Sequence, residues 1–109
     1  TMEVDEISKM IGDAWELHRK GDQAAAQRLF EDVLRRDAES VDAHYGLGLV
    51  KRASGDKTGA RTAFESSRTL AKSALDTIRA GREKNDLSTT KDDRYMMLLR
   101  MIDQRLAEV

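Results

Sequence analysis

The segment GDQAAAQRLFE at residues 21–31 is followed 34 residues later by GDKTGARTAFE at residues 55–65, and this repetition decides the fold. Both segments begin with Gly-Asp, continue with an alanine at the same spacing, and end in Phe-Glu, with no gap between them. A fixed period of this length is typical of stacked helical hairpins, because one hairpin buries its apolar face only against its neighbours. The sequence therefore predicts an all-α protein of stacked antiparallel helical hairpins.

Three frames of equal length cover the chain, at residues 7–40, 41–74 and 75–108, and we expect them to form a single domain over residues 1–109. In each of the first two frames a glycine stands where the first helix should end, since glycine tolerates the positive φ of that position. The aspartate that follows is a preferred N-cap residue for the second helix. Each frame is therefore predicted to be one helical hairpin.

The third frame departs from this pattern. Leu98 keeps the register of Phe64, but Thr89-Thr90 replaces Gly-Asp, and Arg94 stands where the earlier frames have alanine. A long arginine side chain does not fit a tight helix crossing, so we expect about three repeats, of which the third is degenerate.

One long helix is predicted across the boundary between the second and third frames. The chain contains no proline, which is the strongest helix breaker, and no stop signal lies between Phe64 and Arg82. We therefore expect a fused helix near residues 57–84, without a turn near residues 72–74.

Composition excludes several classes of function. Lysine and arginine number 19 against 20 aspartates and glutamates, so the basic footprint of a nucleic-acid-binding protein is absent. The chain has no cysteine, which removes disulfides and thiolate metal sites and fits a reducing compartment. No apolar run approaches the ~20 residues of a membrane span. We expect a cytoplasmic protein that binds no nucleic acid and does not span a membrane.

The repeated residues resemble the tetratricopeptide repeat family. The first frame carries the family pattern at Ala14, Leu17, Gly21-Asp22, Ala26, Phe30 and Asp37, and the second carries it at Leu47-Gly48, Gly55-Asp56, Ala60 and Phe64. Three positions depart from it, namely Asp13, Ala38 and Ser67. The resemblance implies a right-handed solenoid that works as a protein–protein interaction module, without enzymatic activity and without a cofactor.

The resemblance also implies a binding surface, because the first helix of each hairpin lines a concave groove in this family. The groove positions carried over to this sequence are Ile11, Trp15, His18, Arg19, Tyr45, Leu49 and Arg52. Aromatic and arginine side chains dominate binding energy at interfaces, so a peptide or helix with an acidic residue would suit this surface. The alternative is that Trp15 and Tyr45 pack against the protein's own third hairpin.

One class of partner is disfavoured. Family members that bind chaperone tails ending in Glu-Glu-Val-Asp use a clamp of lysine, asparagine and arginine side chains. The matching positions here are Ile11, Trp15, Gly46, Asp76 and Ala80. None of these side chains donates the charge-assisted hydrogen bonds that the two carboxylates require, so we do not expect a chaperone-tail clamp.

The C-terminal segment, residues 91–108, is predicted to form a helix with a broad apolar face. Candidate self-association or docking residues on it are Tyr95, Met97, Leu98, Met101 and Ile102. Methionine-rich faces are common on adaptable binding surfaces, so the helix is a candidate for homo-oligomer formation or for docking a partner helix. The alternative function is therefore a structural scaffold protein that self-associates through this methionine-rich helix. The alternative is that it fills the groove against Trp15 and Tyr45 and closes the stack.

Groups for catalysis are scarce. His18 and His44 are the only histidines, lie 26 positions apart on different predicted helices, and have no carboxylates at the spacing that a metal site needs. The Gly46-x-Gly48 pair is not preceded by a strand and has no third glycine, so it does not predict a phosphate loop. We expect neither an enzyme nor a metal or cofactor site.

Overall fold

The computed structural model describes residues 2–81 and 90–109, with side chains over 3–81 and 92–109. Within those residues it contains five α-helices and no strand, so the predicted all-α class is confirmed. The helices are α1 (Met2–Arg19), α2 (Gln23–Arg36), α3 (Val41–Ala53), α4 (Lys57–Ala80) and α5 (Thr90–Glu108).

The two Gly-Asp turns have the same geometry. Gly21 and Gly55 both have φ of +88°, a conformation that a Cβ disfavours. The aspartate side chain after each glycine accepts a hydrogen bond from the new helix, at 3.1 Å from the N–H of Ala25 and at 2.9 Å from the N–H of Gly59. The identical turns explain why the period of the sequence contains no gap.

Buried phenylalanines join α2 and α4 to α3. The fully buried ring of Phe30 lies against the backbone of Gly46, and that of Phe64 lies against Gly48. A Cβ at either glycine would overlap the ring that it faces. The glycines therefore let an aromatic ring approach the α3 backbone from each side.

Ion pairs between helices show their relative directions. Arg36, the last residue of α2, lies 3.0 Å from Glu6 in the second turn of α1, so these helices are antiparallel. Between α4 and α5, Arg79 near the end of α4 lies 3.3 Å from Asp92 near the start of α5, and Arg68, earlier on α4, lies 2.7 Å from Asp103, later on α5. The ion pairs between α3 and α5 join like ends, and they are Arg94–Asp42 at 2.9 Å and Arg52–Glu108 at 2.6 Å. The last helix is therefore antiparallel to α4 and parallel to α3.

The core has two parts that meet at α3. The first contains buried residues of α1, α2, α3 and α4, among them Ala14, Phe30, Val33, Leu47 and Val50. The second contains residues of α3, α4 and α5, among them Tyr45, Phe64, Ala71, Leu98 and Ile102. Trp15 packs against both parts. Phe30 and Phe64 occupy the same position of the repeat. Phe30 is buried in the first part of the core, and Phe64 is buried in the second.

The predicted long helix is present. The 24 residues of α4 pass through 72–74 without a turn. The helix ends at Ala80, earlier than the predicted end near residue 84, because Gly81 caps it and donates its N–H to the carbonyl of Thr77 at 3.1 Å. Residues 82–84 and Thr89 of the predicted third-frame turn lie outside the described residues. The described part of the third frame thus contains the end of α4 and the whole of α5.

Candidate functional site

The predicted groove residues lie on two neighbouring helices. Ile11, Trp15, His18 and Arg19 belong to α1, and Tyr45, Leu49 and Arg52 belong to α3. The ring centroids of Trp15 and Tyr45 are 6.4 Å apart, so the structure brings the two sets together. Arg19 is exposed and Tyr45 is buried, whereas the other five side chains are partly buried.

Trp15 is the centre of this surface. Its ring meets the edge of the buried Phe30 ring at 5.2 Å and 77°, and it lies 6.2 Å from the ring of His18. Aromatic pairs of this kind contribute about 0.5–1.5 kcal/mol beyond their buried area. One part of the indole therefore belongs to the core, while the remaining exposed part is available on the surface between α1 and α3.

Tyr45 belongs mainly to the core. Its side chain is 8% exposed, its ring lies 5.7 Å from that of Phe64, and it shares the second apolar cluster with Leu98 and Ile102 of α5. Burial raises the pKa of the Tyr45 phenol, against the opposing effect of the nearby positive charges on Arg105 and Arg52. The alternative interpretation is that Tyr45 packs against the protein's own third hairpin. The structure agrees with it for this residue, since Tyr45 shares an apolar cluster with the last helix.

Basic side chains lie at the C-terminal ends of α1 and α3. His18 and Arg19 are in the last turn of α1, and Arg52 is in the last turn of α3, where the charges of the two arginines interact favourably with the helix dipoles. Arg19 pairs with Glu16 of its own helix, and the His18 ring nitrogen Nδ1 lies 2.7 Å from Oε1 of Gln23. Arg19 and His18 are thus engaged with neighbouring residues of α1 and α2, and the His18 ring also lies next to that of Trp15.

Arg52 belongs to a small network that sequence reasoning missed. It lies 2.6 Å from Glu108, which also accepts from Arg105 at 3.1 Å. The three-residue spacing of Arg105 and Glu108 predicts contact within one helix. Nothing in the sequence indicates that this pair meets Arg52, because that contact requires α5 to lie parallel to α3.

The candidate residues of the C-terminal helix divide into two groups. Leu98 and Ile102 are buried in the second apolar cluster, and Tyr95 packs against it. Met97 is 56% exposed, and Met96 and Met101 are also exposed. The first group positions α5 against α3 and α4, and over residues 92–109 the three methionines are the exposed large apolar side chains.

Within residues 2–81 and 90–109, no group of three histidine, cysteine, aspartate or glutamate side chains is placed to hold a metal ion. Over the same part of the chain, no helix has both the length and the apolar character that crossing a membrane requires.

Comparisons with protein-family models, with curated proteins and with solved structures find no match to this chain. Functional inference therefore rests on the surface itself.

Proposed function

We propose that this protein is a tetratricopeptide-like interaction module without enzymatic activity, which holds a peptide or helix of another protein on the face formed by α1 and α3. The observation that carries the proposal is the partly exposed ring of Trp15, with Leu49 on the neighbouring helix and Arg19 and Arg52 at the same end of both helices. Tryptophan and arginine are the residue types that most often dominate the energy of an interface.

The mechanism is apolar burial with electrostatic orientation. An apolar side chain of the partner would cover the exposed part of Trp15 and the side chain of Leu49. A carboxylate of the partner would compete for Arg19, which is exposed and pairs with Glu16 only at the surface. Exposed ion pairs are weak, so exchanging one carboxylate for another costs little.

The test is capture of partners from native lysate on the wild-type chain, on Trp15→Ala and on Met97→Ala, followed by titration of the purified partner against all three. We expect Trp15→Ala to weaken binding at least tenfold, and Met97→Ala, which also removes an exposed apolar side chain, to bind as the wild type does. Circular dichroism must show equal helix content in the three proteins. Equal affinity of Trp15→Ala and the wild type would reject the α1–α3 face.

A second candidate function is self-association through α5, which the exposed Met96, Met97 and Met101 favour. Flexible methionine side chains adapt to a second surface at small cost. Sedimentation equilibrium over a hundredfold range of concentration decides this candidate. A mass that rises with concentration, and that Met97→Lys with Met101→Lys returns to the monomer, would support it, whereas a constant monomer mass would exclude it.

A further inference from the structure

A cleft lies beside the second half of α4, and Trp15 does not line it. It encloses about 550 Å³ between α4, the connection from α2 to α3, and the start of α5. A second cavity of about 330 Å³ adjoins it at the N-terminal end of α1. Both cavities are lined by Glu39, Val41, Arg94 and Tyr95, so they form one continuous surface, here called the α4 cleft.

The cleft exists because α4 is longer than the hairpin requires. Its 24 residues exceed the 14 of α2 by ten, which corresponds to about 15 Å of additional helix. Leu70 stands at the position where a helix of the length of α2 would end, and the additional length carries Ala74 and Ile78. These side chains, with Val41 and Tyr95, give the cleft an apolar floor.

The rim of the cleft is acidic. Asp37, Glu39 and Asp42 contribute three carboxylates, and Arg94 is the one cation among the described lining residues. The Arg94 guanidinium is already engaged, since it lies 2.9 Å from Asp42 and 5.4 Å from the centre of the Tyr95 ring. Asp37 and Glu39 therefore remain as negative charges above an apolar floor.

We propose that the α4 cleft docks a basic amphipathic segment of another protein. Apolar side chains of that segment lie on the floor between Val41 and Ile78, and its lysines or arginines face Asp37 and Glu39. Charge complementarity decides the class of partner, because an acidic segment would meet like charges along the rim. The hydroxyls of Ser73 and Thr77, which line the α4 side, accept or donate hydrogen bonds to such a segment. The cleft shares Ile11 with the α1–α3 face of the proposed function, but Trp15 and Leu49 do not line it, so different substitutions test the two surfaces.

The probe is a labelled amphipathic peptide of 16 residues with leucines on one helical face and lysines on the other, compared with the same peptide carrying glutamate for lysine. Fluorescence anisotropy measures binding of both to the intact chain. The variants are Glu39→Lys, which reverses an exposed rim charge, and Ala74→Trp, which fills the floor. The matched control is Glu65→Lys, the same charge reversal at an exposed position of α4 that does not line the cleft.

The proposal expects the lysine peptide to bind and the glutamate peptide to bind at least tenfold more weakly. Glu39→Lys should weaken binding about fivefold, in the range of an exposed charge pair, and Ala74→Trp at least tenfold, while Glu65→Lys should have no effect. An equal effect of Glu39→Lys and Glu65→Lys would reject the cleft in favour of attraction to the general surface. If Trp15→Ala abolishes binding while Glu39→Lys and Ala74→Trp bind as the wild type does, the peptide binds on the α1–α3 face. That outcome would overturn the α4 cleft and leave the proposed function standing. A concentration-dependent dimer that Ala74→Trp abolishes would identify the occupant as a second copy and would also overturn it.

Discussion

The first hairpin and the last helix are held in place by different kinds of contact. The α1–α2 hairpin is closed by a turn of consecutive residues, in which Gly21 takes a positive φ and Asp22 caps the next helix. No such turn lies among the described residues before α5, which is held by apolar burial of Leu98 and Ile102 and by ion pairs to α3 and α4. The comparison separates structure that neighbouring residues specify from structure that only distant residues specify.

The largest effect should come from the core of the repeated part. Phe30→Ala empties the site against Gly46 and should lower the free energy of unfolding by about 3–5 kcal/mol. Urea denaturation followed by circular dichroism measures this loss. Val4→Ala, at an exposed position of α1, is the control and should change stability by less than about 0.5 kcal/mol. A small loss for Phe30→Ala would mean that the ring is not buried as described.

The next effect should distinguish α5 from the hairpins. Ile102→Ala removes a fully buried side chain of α5 and should cost about 2–5 kcal/mol locally. Because Ile102 belongs to the apolar cluster that holds α5 against α3 and α4, we expect hydrogen exchange to accelerate in α5 more than in α1 and α2. Uniform acceleration over all five helices would show that the chain unfolds only as a whole. It would reject the idea that α5 and the α1–α2 hairpin unfold separately.

A smaller effect should come from the turn itself. Gly55→Ala forces a side chain into a φ of +88° and should destabilise the protein by about 1–2 kcal/mol. Gly12→Ala is the matched substitution inside α1, where a Cβ meets nothing within 4 Å, and should stabilise by about 0.5–1 kcal/mol. Thermal unfolding of the two variants should therefore shift in opposite directions. Shifts of the same sign would show that the positive φ of the turn does not determine how a side chain at position 55 affects stability.

The smallest effect should come from the ion pairs of α5. Arg68→Ala breaks the exposed pair with Asp103 and should cost about 0.2–1 kcal/mol, a difference that decreases as salt is added. Arg100→Ala is the control, since Arg100 is exposed on α5 and makes no ion pair with the described residues. If Arg68→Ala costs several kcal/mol at high salt, charge rather than apolar burial holds α5.

The parts of the fold that depend on neighbouring residues could be predicted from the sequence. Gly21-Asp22 and Gly55-Asp56 carry their turn chemistry in two residues each, and the absence of a helix breaker after Phe64 sufficed to predict the continuous α4. The predicted end of α4 near residue 84 is too late, because the helix ends at the cap residue Gly81.

The position of α5 could not be predicted in this way. The apolar face of this helix predicts that it is buried, but Leu98 and Ile102 carry no information about which neighbours they meet. The burial of Tyr45 depends on that choice, and so does the pairing of Arg52 with Glu108. The α1–α3 face and the methionine surface therefore remain predictions about function, with Trp15, Leu49 and Met97 as the residues that now test them.

The parallel arrangement of α3 and α5 has a consequence for the order of folding. The contact of Arg94 with Asp42 joins residues 52 positions apart, whereas each Gly-Asp turn joins residues three to five positions apart. Closing a long loop costs more entropy than closing a short one, and contacts between distant residues form slowly. The two hairpins should therefore form first. The last helix, α5, should then pack against α3 and α4 after these helices have folded.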